Sequence, residues 1–592
     1  MGARRAERSI QQLPIARRAK REETMPRPAP LVRSLGLLLA LALGGCSQVP
    51  RSAPVEVNLA VINDLHGYLQ SNPFSYEEPA GGRTTLQAGG LAALGGLLTE
   101  LRRQDPELLF VGGGDLIGAS PPLSALWADE PTLKALDLLG LKLSVVGNHE
   151  LDSGRQELLR QVRGGCASPR PQRACRFDGE HRGTRFPYIA ANLIDSASGE
   201  LLFAPYRIET VHGVRIAFVG AVPQDLPSMV PRSSLAGLDT LDEAEAINAQ
   251  LPALRRQGVD VIVALVHNGG RTDEPFDRQD CRGLQGEIVE VARRLDPQIE
   301  LLISAHTHEG YLCRVGDRLV TQASSYGRLL THLTLRIDPA SRRVLGIEAR
   351  NLLVDPRRYP GDAGMRALEQ RVEQRSGALL EKPVARLGAA RIPRAADASG
   401  ESAMGDLVAD AQLAATRHLG AEAALANYGG IRGELALEPG RSRVSFGQLA
   451  AVQPFGNRLV VLTLSGAQLR ELLEQQWRDG EFAPLQVSAS LSYRWDASRP
   501  PGRRVLPGSL RIDGRPVRDG QAYRIAVNAF LADGGDHFTV LTRAGQRLDT
   551  PIEDRQALID YLQACDRSGA PAGRGEPARR FRPVGRPVVA GP

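Results

Sequence analysis

The sequence predicts an α/β layered domain over residues 56–350, then a linker with a helix (351–380), then an α+β domain over 381–550. Three observations carry this. Short apolar runs alternate with helix-period stretches up to about residue 350, the alternation of strand–helix layering. Beyond that point the alternation stops, leaving one helical stretch, Met365 to Glu373, before a different pattern begins near Val384. The chain has 592 residues, 42% apolar and 24% charged, which is ample for two large cores.

Residues 1–46 read as an extension and an export signal. Met25 to Arg33 is short and basic, and Leu35 to Leu43 is apolar but too short to span a membrane. Leu43-Gly44-Gly45-Cys46 places small residues directly before a cysteine, which resembles a bacterial lipoprotein signal. The expectation is a lipid on Cys46 that ties an exported protein to a membrane, with Met25 a better start than Met1. Ser47 does not resemble an inner-membrane retention signal, so the periplasmic face of the outer membrane is the expected address. Residues 47–55 read as a Ser/Pro linker.

Export permits disulfides. Cys166 and Cys175 flank a Pro/Arg-rich loop, Cys281 and Cys313 flank one βα unit, and Cys565 is left over. The formal net charge of +6 comes largely from the ends: the first 22 residues and Arg574 to Arg586 are rich in arginine. No basic helix or aromatic-interleaved basic stripe is present, so nucleic acid is not an expected partner. The tail 551–592, rich in Pro, Gly and Arg, is expected to be largely disordered.

In the first domain the apolar runs are Val57–Ile62, Leu108–Val111, Leu143–Val146, Val214–Val219, Val259–Val266 and Ile299–Ile303, with helices over Leu91–Arg103 and Glu287–Arg294. Ligands in layered α/β folds collect at the carboxyl ends of strands. Those ends are Asn63-Asp64-Leu65-His66-Gly67, Gly112-Gly113-Gly114-Asp115, Gly147-Asn148-His149-Glu150-Leu151-Asp152, His267-Asn268-Gly269-Gly270 and His306-Thr307-His308. The run ending at Gly220-Ala221-Val222 carries no ligand. Five of the ten histidines lie at these ends.

Asp64, His66, Asp115, Asn148, His267, His306 and His308 form a mixed oxygen and nitrogen set without cysteine, suited to Zn²⁺, Mn²⁺ or Fe²⁺. Seven ligands exceed one ion. Two ions sharing a carboxylate would use them all, and ions about 3.5–4 Å apart activate a bridging hydroxide and clamp phosphoryl oxygens. His149, with Asp152 three residues on, reads as an oriented imidazole able to carry charge. Singly, each motif is also a capped turn or a core histidine; five together at strand ends are not.

The order Asp-x-His, Gly-Asp, Gly-Asn-His-Glu, His-x-Gly and His-x-His resembles the calcineurin-like metallophosphoesterases, in particular the secreted two-domain 5′-nucleotidase/UDP-sugar hydrolase family. The resemblance implies a β-sandwich flanked by helices. It implies one ion on Asp64, His66 and His308, another on Asn148, His267 and His306, with Asp115 bridging and His149–Asp152 as the catalytic pair. Ser304-Ala305 stands before His306 where the family usually has Gly.

The second half carries further likenesses. Glu401 to Leu407 is similar to the family's Glu-Ser-x-x-Gly-Asn-Leu segment, with Asp406 in place of the usual Asn. Asn427-Tyr428-Gly429-Gly430-Ile431-Arg432, Gln453 to Asn457 and Asn528 to Asp536 follow in order. Arg432 after a Gly-Gly turn offers a planar fork to an oxyanion, and Phe455 and Phe530 lie in turn-rich segments that favour stacking over core packing. By resemblance these two rings sandwich the base, Asn457 reads its edge, Asp536 holds the ribose, and Asn427 and Arg432 reach toward the phosphate. Arg391 and Arg394 are further phosphate candidates whose spacing fits less well.

The expected activity is removal of phosphate from nucleoside 5′-monophosphates by attack of a metal-bound hydroxide on phosphorus. The same scaffold also serves 2′,3′-cyclic phosphodiesterases and UDP-sugar or dinucleotide pyrophosphatases, and a related thiosulfohydrolase type whose substrate is not a nucleotide. The non-enzymatic alternative is a nucleotide- or metal-binding lipoprotein. The sequence is silent on oligomeric state.

Overall fold

A computed structural model of the protein describes residues 53–77, 82–478 and 481–584. The expected signal, Cys46 and linker residues 47–52 lie outside these residues.

The first half stacks two six-stranded sheets face to face. One runs, in spatial order, Val344–Leu353, Leu329–Ile337, Val55–Ile62, Leu109–Gly112, Leu143–Val145 and Tyr188–Ile189. The other runs Gly310–Val315, Arg318–Ala323, Leu301–Ser304, Val261–Val266, Val214–Ala221 and Tyr206–Val211. Side chains alternate along each strand. Val57, Leu59 and Val61 therefore meet Phe218, Val263 and Ile303 of the opposite sheet, while Ala60 and Ile62 face outward onto helices. Leu91–Gln104 and Glu130–Leu138 cover one outer face, and Glu243–Asn248, Leu251–Arg256 and Glu287–Arg294 cover the other. Burial on both faces is why these strands read as continuous apolar runs rather than alternating ones. The ligand-bearing strands pair in parallel, for example Leu59 with Leu109, Val111 with Leu143 and Val263 with Leu301. Neighbouring carboxyl ends therefore emerge together.

Both expected cysteine pairs form disulfides, Cys166–Cys175 and Cys281–Cys313, and Cys565 is free. The segment expected as a linker packs as part of the first domain. Val344–Leu353 is an edge strand, and the helix runs from Ala363 to Leu380, longer than Met365–Glu373. Asp362 caps it by accepting the Met365 N–H at 2.9 Å, and Met365, Leu368 and Val372 enter the first domain's core.

The second half is built on a five-stranded sheet ordered Leu485–Val487, Ala423–Asn427, Ala522–Asn528, Arg458–Ser465, Gln546–Glu553. Helix Ala403–Thr416 begins at the Ser402 cap, and Ser465 with Gln468 forms the capping box its spacing predicts, opening helix Gly466–Glu474.

The tail is a correction. Residues 551–584, expected to be disordered, instead complete the domain as the end of strand Gln546–Glu553, helix Asp554–Arg567 and strand Phe581–Pro583, which pairs in parallel with Leu491–Trp495, while residues 585–592 lie outside the described ones. Composition concealed a few strong anchors. Ala557, Leu558 and Leu562 are buried, Phe581 stacks on Tyr493 at 5.3 Å, and Arg580 meets Asp410 at 2.7 Å.

Candidate active site

The seven candidate ligands converge, although they come from five strand ends. Asp64, His66 and His308 form one group whose ligand atoms all lie within 4.8 Å of one another, and Asp115, His267 and His306 form a second. Asn148 joins the second group, its Oδ1 standing 3.0 Å from His306 Nδ1. Asp115 Oδ2 lies 3.1 Å from His267 Nε2 and 3.8 Å from His66 Nε2, between the two groups.

The local backbone is bent to achieve this. Asp64, His66, Asp115, His306 and His308 all take left-handed φ values, 49°, 48°, 49°, 73° and 62°. Such values are uncommon outside glycine and persist only where the surroundings over-determine them. Here the loops bond each other: the His66 N–H donates to Asp115 O at 2.9 Å, and the Asp64 N–H to Gly114 O at 3.0 Å. Gly147 allows the close approach, since a Cβ there would stand 2.2 Å from Asp115 Oδ1. Ala305, where the family usually has glycine, is fully buried, and its N–H donates to Asn268 O at 3.0 Å.

Outer partners aim the rings. His66 Nδ1 faces Gly118 O at 2.9 Å and His267 Nδ1 faces Gly113 O at 2.8 Å, so both Nε2 atoms turn to the centre. Asp115 Oδ2 and His267 Nε2 are buried and make no hydrogen bond. Two polar atoms orphaned face to face, in a mixed oxygen and imidazole set, fit a divalent cation. Charge is shared unevenly within the cluster. Burial pushes the Asp64 carboxyl up to about 7 against the His267 charge, while His267 rises to about 10 because Asp115 outweighs its own burial. Burial lowers His306 to about 4.

His149 Nδ1 lies 2.9 and 3.0 Å from the two Asp152 oxygens, and the Ala119 N–H fixes Asp152 at 2.9 Å. Burial pulls the imidazole's pKa down, but Asp152 and Asp115 outweigh it and raise it overall. The His149 backbone N–H donates to Asp115 Oδ1 at 2.8 Å, tying this turn to the candidate ligands.

Two residues to which the sequence reading assigned no role organise this centre. The carboxylate of Glu150, 3% exposed, accepts N–H groups from Asp115 at 2.9 Å, Leu116 at 2.8 Å and Gly147 at 2.7 Å. It thereby ties together two ligand loops. Tyr326 donates its N–H to Asp64 O at 2.7 Å and sets its ring edge-on to His308 at 5.3 Å. Glu150 stands inside a motif visible in the sequence, but the three unpaired N–H groups it serves come together only in the fold.

A cavity of about 1200 Å³ opens beside the centre, lined by Asn148, His149 and His306 on one side and by all six candidate substrate residues on the other. Phe455 stacks on His149 with ring centroids 5.8 Å apart, and the Arg432 guanidinium lies 6.0 Å over Phe455. The Arg432 charge reaches His66, His149 and His308, so it acts at the end of the cavity that holds the candidate ligands. Asn427 donates to Asp536 Oδ2 at 2.8 Å and accepts from Asn528 at 3.0 Å, so part of its amide is spent holding Asp536. Asp536 itself takes φ 50° and is pushed up by burial. Phe530 packs over Gly535, and Asn457 binds the Asp554 N–H through its carbonyl at 2.9 Å. Of the two further arginines, Arg394 lies over Tyr428 at 4.2 Å, whereas Arg391 is exposed and paired with Glu434 at 2.9 Å.

Residues 57–310 match the calcineurin-like phosphoesterase model, and residues 381–543 match the 5′-nucleotidase C-terminal domain model. Endonuclease YhcR of Bacillus subtilis is 29% identical over 517 residues, covering 86% of this chain and 40% of that protein. A 5′-nucleotidase of Diplobatis ommata is 25% identical, covering 89% of this chain and 90% of the relative. The crystal structure of a 5′-nucleotidase precursor from Thermus thermophilus superposes with a TM-score of 0.70 at 26% identity, over 90% of this chain and 100% of that one. This chain thus spans less than half the length of the endonuclease it resembles. Both family matches fall in order on the two halves described above, and the chain belongs to the calcineurin-like phosphoesterases that carry a 5′-nucleotidase C-terminal domain.

Proposed function

We propose that this protein hydrolyses nucleoside 5′-monophosphates to nucleoside and phosphate with two divalent ions. The observation that carries this reading is a single cavity shared by the ligand cluster and by two phenyl rings with an acidic neighbour. Asp64, His66 and His308 would hold one ion and Asn148, His267 and His306 the other, with Asp115 between them. When bound, such ions supply Lewis acidity toward phosphoryl oxygens and a nucleophilic water at neutral pH.

The remaining tasks fall to side chains. Asp152 holds the His149 Nδ1–H, which leaves Nε2–H to stabilise charge on the phosphoryl group or on the departing ribose oxygen. Arg432 adds a fixed positive charge at the same end. Phe455 and Phe530 stack the base, Asn457 reads its edge, and Asp536, steadied by Asn427, accepts from the ribose hydroxyls. The two disulfides and Leu43-Gly44-Gly45-Cys46 support an exported, lipid-anchored enzyme.

The test is phosphate release from AMP, a UDP-sugar, 2′,3′-cyclic AMP and an aryl phosphate, with Mn²⁺ or Zn²⁺ and again with chelator. Metal-dependent release favouring AMP is expected. Preference for the UDP-sugar or the cyclic nucleotide moves the assignment to those alternatives. Release from the aryl ester alone would refute the nucleoside slot, and no release with any metal would leave the binding-protein reading.

A further inference from the structure

The cavity wall that holds Phe455, Asn457 and Phe530 also holds Glu553, a carboxylate with no part in the reading above. Two contacts set its place. Strand Arg458–Ser465 pairs antiparallel with Gln546–Glu553, so Arg458 stands opposite Glu553. One residue on, the Asp554 N–H donates to the backbone carbonyl of Asn457 at 2.9 Å. Together they fix Glu553 beside the turn Phe455-Gly456-Asn457. Gly456 takes φ 70°, and a Cβ there would stand 3.5 Å from Glu553 Oε2. The carboxylate therefore lies against the residue that separates the stacking ring from the base-edge amide.

The usual employment of such a residue is absent. Glu553 occupies the N-cap position of helix Asp554–Arg567, where an acidic side chain ordinarily accepts an N–H of the first turn. Its side chain makes no cap hydrogen bond. Its ion-pair partner among the described residues, Arg555, is only 13% exposed and stands 3.7 Å from Oε2, beyond hydrogen-bond distance. At that separation the Arg555 charge steadies the carboxylate without occupying its oxygens. Glu553 itself is half-exposed, on the cavity side.

We propose that Glu553 reads the Watson–Crick edge of the stacked base and selects guanine. A carboxylate offers two acceptor oxygens and no donor. Among the common bases guanine alone carries two donors side by side, N1–H and the 2-amino group, which a carboxylate meets with two parallel bonds. Hypoxanthine keeps N1–H and lacks the amino group. Adenine and cytosine place an acceptor nitrogen beside their amino group, and uracil flanks its N3–H with two carbonyls. Each of these turns a lone pair toward one carboxylate oxygen. The Asn457 amide, on the same wall, supplies a donor for the guanine O6. This inference rests on the nucleotide reading of the slot and names the base preferred there.

The test compares kcat/KM for GMP, IMP and AMP on the full chain with Mn²⁺. GMP is expected to exceed IMP about tenfold, the scale of one charge-assisted bond, and to exceed AMP by at least as much. Glu553→Gln and Glu553→Ala should each bring the GMP to IMP ratio within about twofold of one, through a rise in KM for GMP. Equal use of GMP and IMP by the wild-type protein, a preference for AMP over GMP, or a guanine preference that survives both substitutions overturns the role of Glu553. Hydrolysis of all three nucleotides with no base preference overturns that role alone. Failure to hydrolyse any of them, with an aryl phosphate still cleaved, overturns the nucleotide reading itself.

Discussion

Two groups of buried carboxylates, one in each half of this protein, meet opposite fates. In the second domain Glu401, Asp406 and Asp410 surround Arg580. Glu401 accepts the Arg580 N–H at 2.9 Å, Asp410 takes both Nη atoms at 2.9 and 2.7 Å, and Asp406 lies 3.2 Å from Nε. The chain supplies its own cation there, and the cluster ties the tail down. In the first domain the ion-pair partners of Asp64 and Asp115 among the described residues are histidines. Imidazoles face them, the backbone around them is bent, and Asp115 Oδ2 is left without a partner. Both sites concentrate negative charge away from water, which is costly unless compensated. Compensation from within makes a clamp. Compensation left open makes a site for an added cation, and the backbone strain it retains marks it as functional.

The difference can be broken at its strongest point first. Asp115→Asn should lower kcat/KM for AMP on the order of 10³-fold, as expected when the main electrostatic stabiliser is lost. Asp410→Asn should leave turnover nearly intact and cost about 2 kcal/mol of stability. Equal losses of activity from the two substitutions would erase the distinction. Next in size, His149→Ala should reduce kcat about 10²–10⁴-fold with metal affinity preserved, as expected for a proton-handling group. An unchanged kcat would remove His149 from the mechanism.

Glu150→Gln replaces an acceptor with an amide in front of three N–H donors. Manganese titration should show about 10–100-fold weaker binding, the usual scale for groups that orient metal ligands. Unaltered affinity would make Glu150 a bystander. Phe530→Ala should raise KM for AMP about tenfold, in line with the stacking energy of one base, and spare an aryl phosphate. Equal effects on both substrates would contradict stacking.

The smallest effect concerns Asp406. Burial raises its carboxyl from 3.8 to about 8, with Arg580 opposing and Glu401 adding to the rise. Between those values the folded protein keeps a proton that the unfolded chain has lost, so stability falls as pH rises through the window. A protonated Asp406 resembles the Asn usual in the family. Asp406→Asn removes the titration, and the variant's Tm should gain on the wild type from about pH 4 to pH 8 and level off above. A gap that stays flat across that window would mean that Asp406 is ionised against Arg580.

The legible part of the active site was the part whose chemistry demands residue types. Asp, His and Asn at the ends of apolar runs mark a metal centre whatever the packing, and a Phe in a glycine-rich turn is a poor core residue. Less legible were residues that act through backbone geometry. Glu150 serves N–H groups from two loops, and Tyr326 supports Asp64 from 262 positions away in the chain. The tail misled for a related reason. Pro, Gly and Arg dominate its composition, yet Phe581 and Arg580 anchor it to segments almost a hundred or more residues distant.

By itself the sequence determined the layered first domain, the candidate ligand types, the His149–Asp152 pair and the two phenyl rings that line the cavity, because periodicity and side-chain chemistry are local properties. Only the tertiary structure decided that five strand ends meet at one centre, that the linker helix packs within the first domain, and that the tail as far as residue 584 closes the second. These follow from parallel strand pairing and long-range burial, which join residues that no local pattern connects.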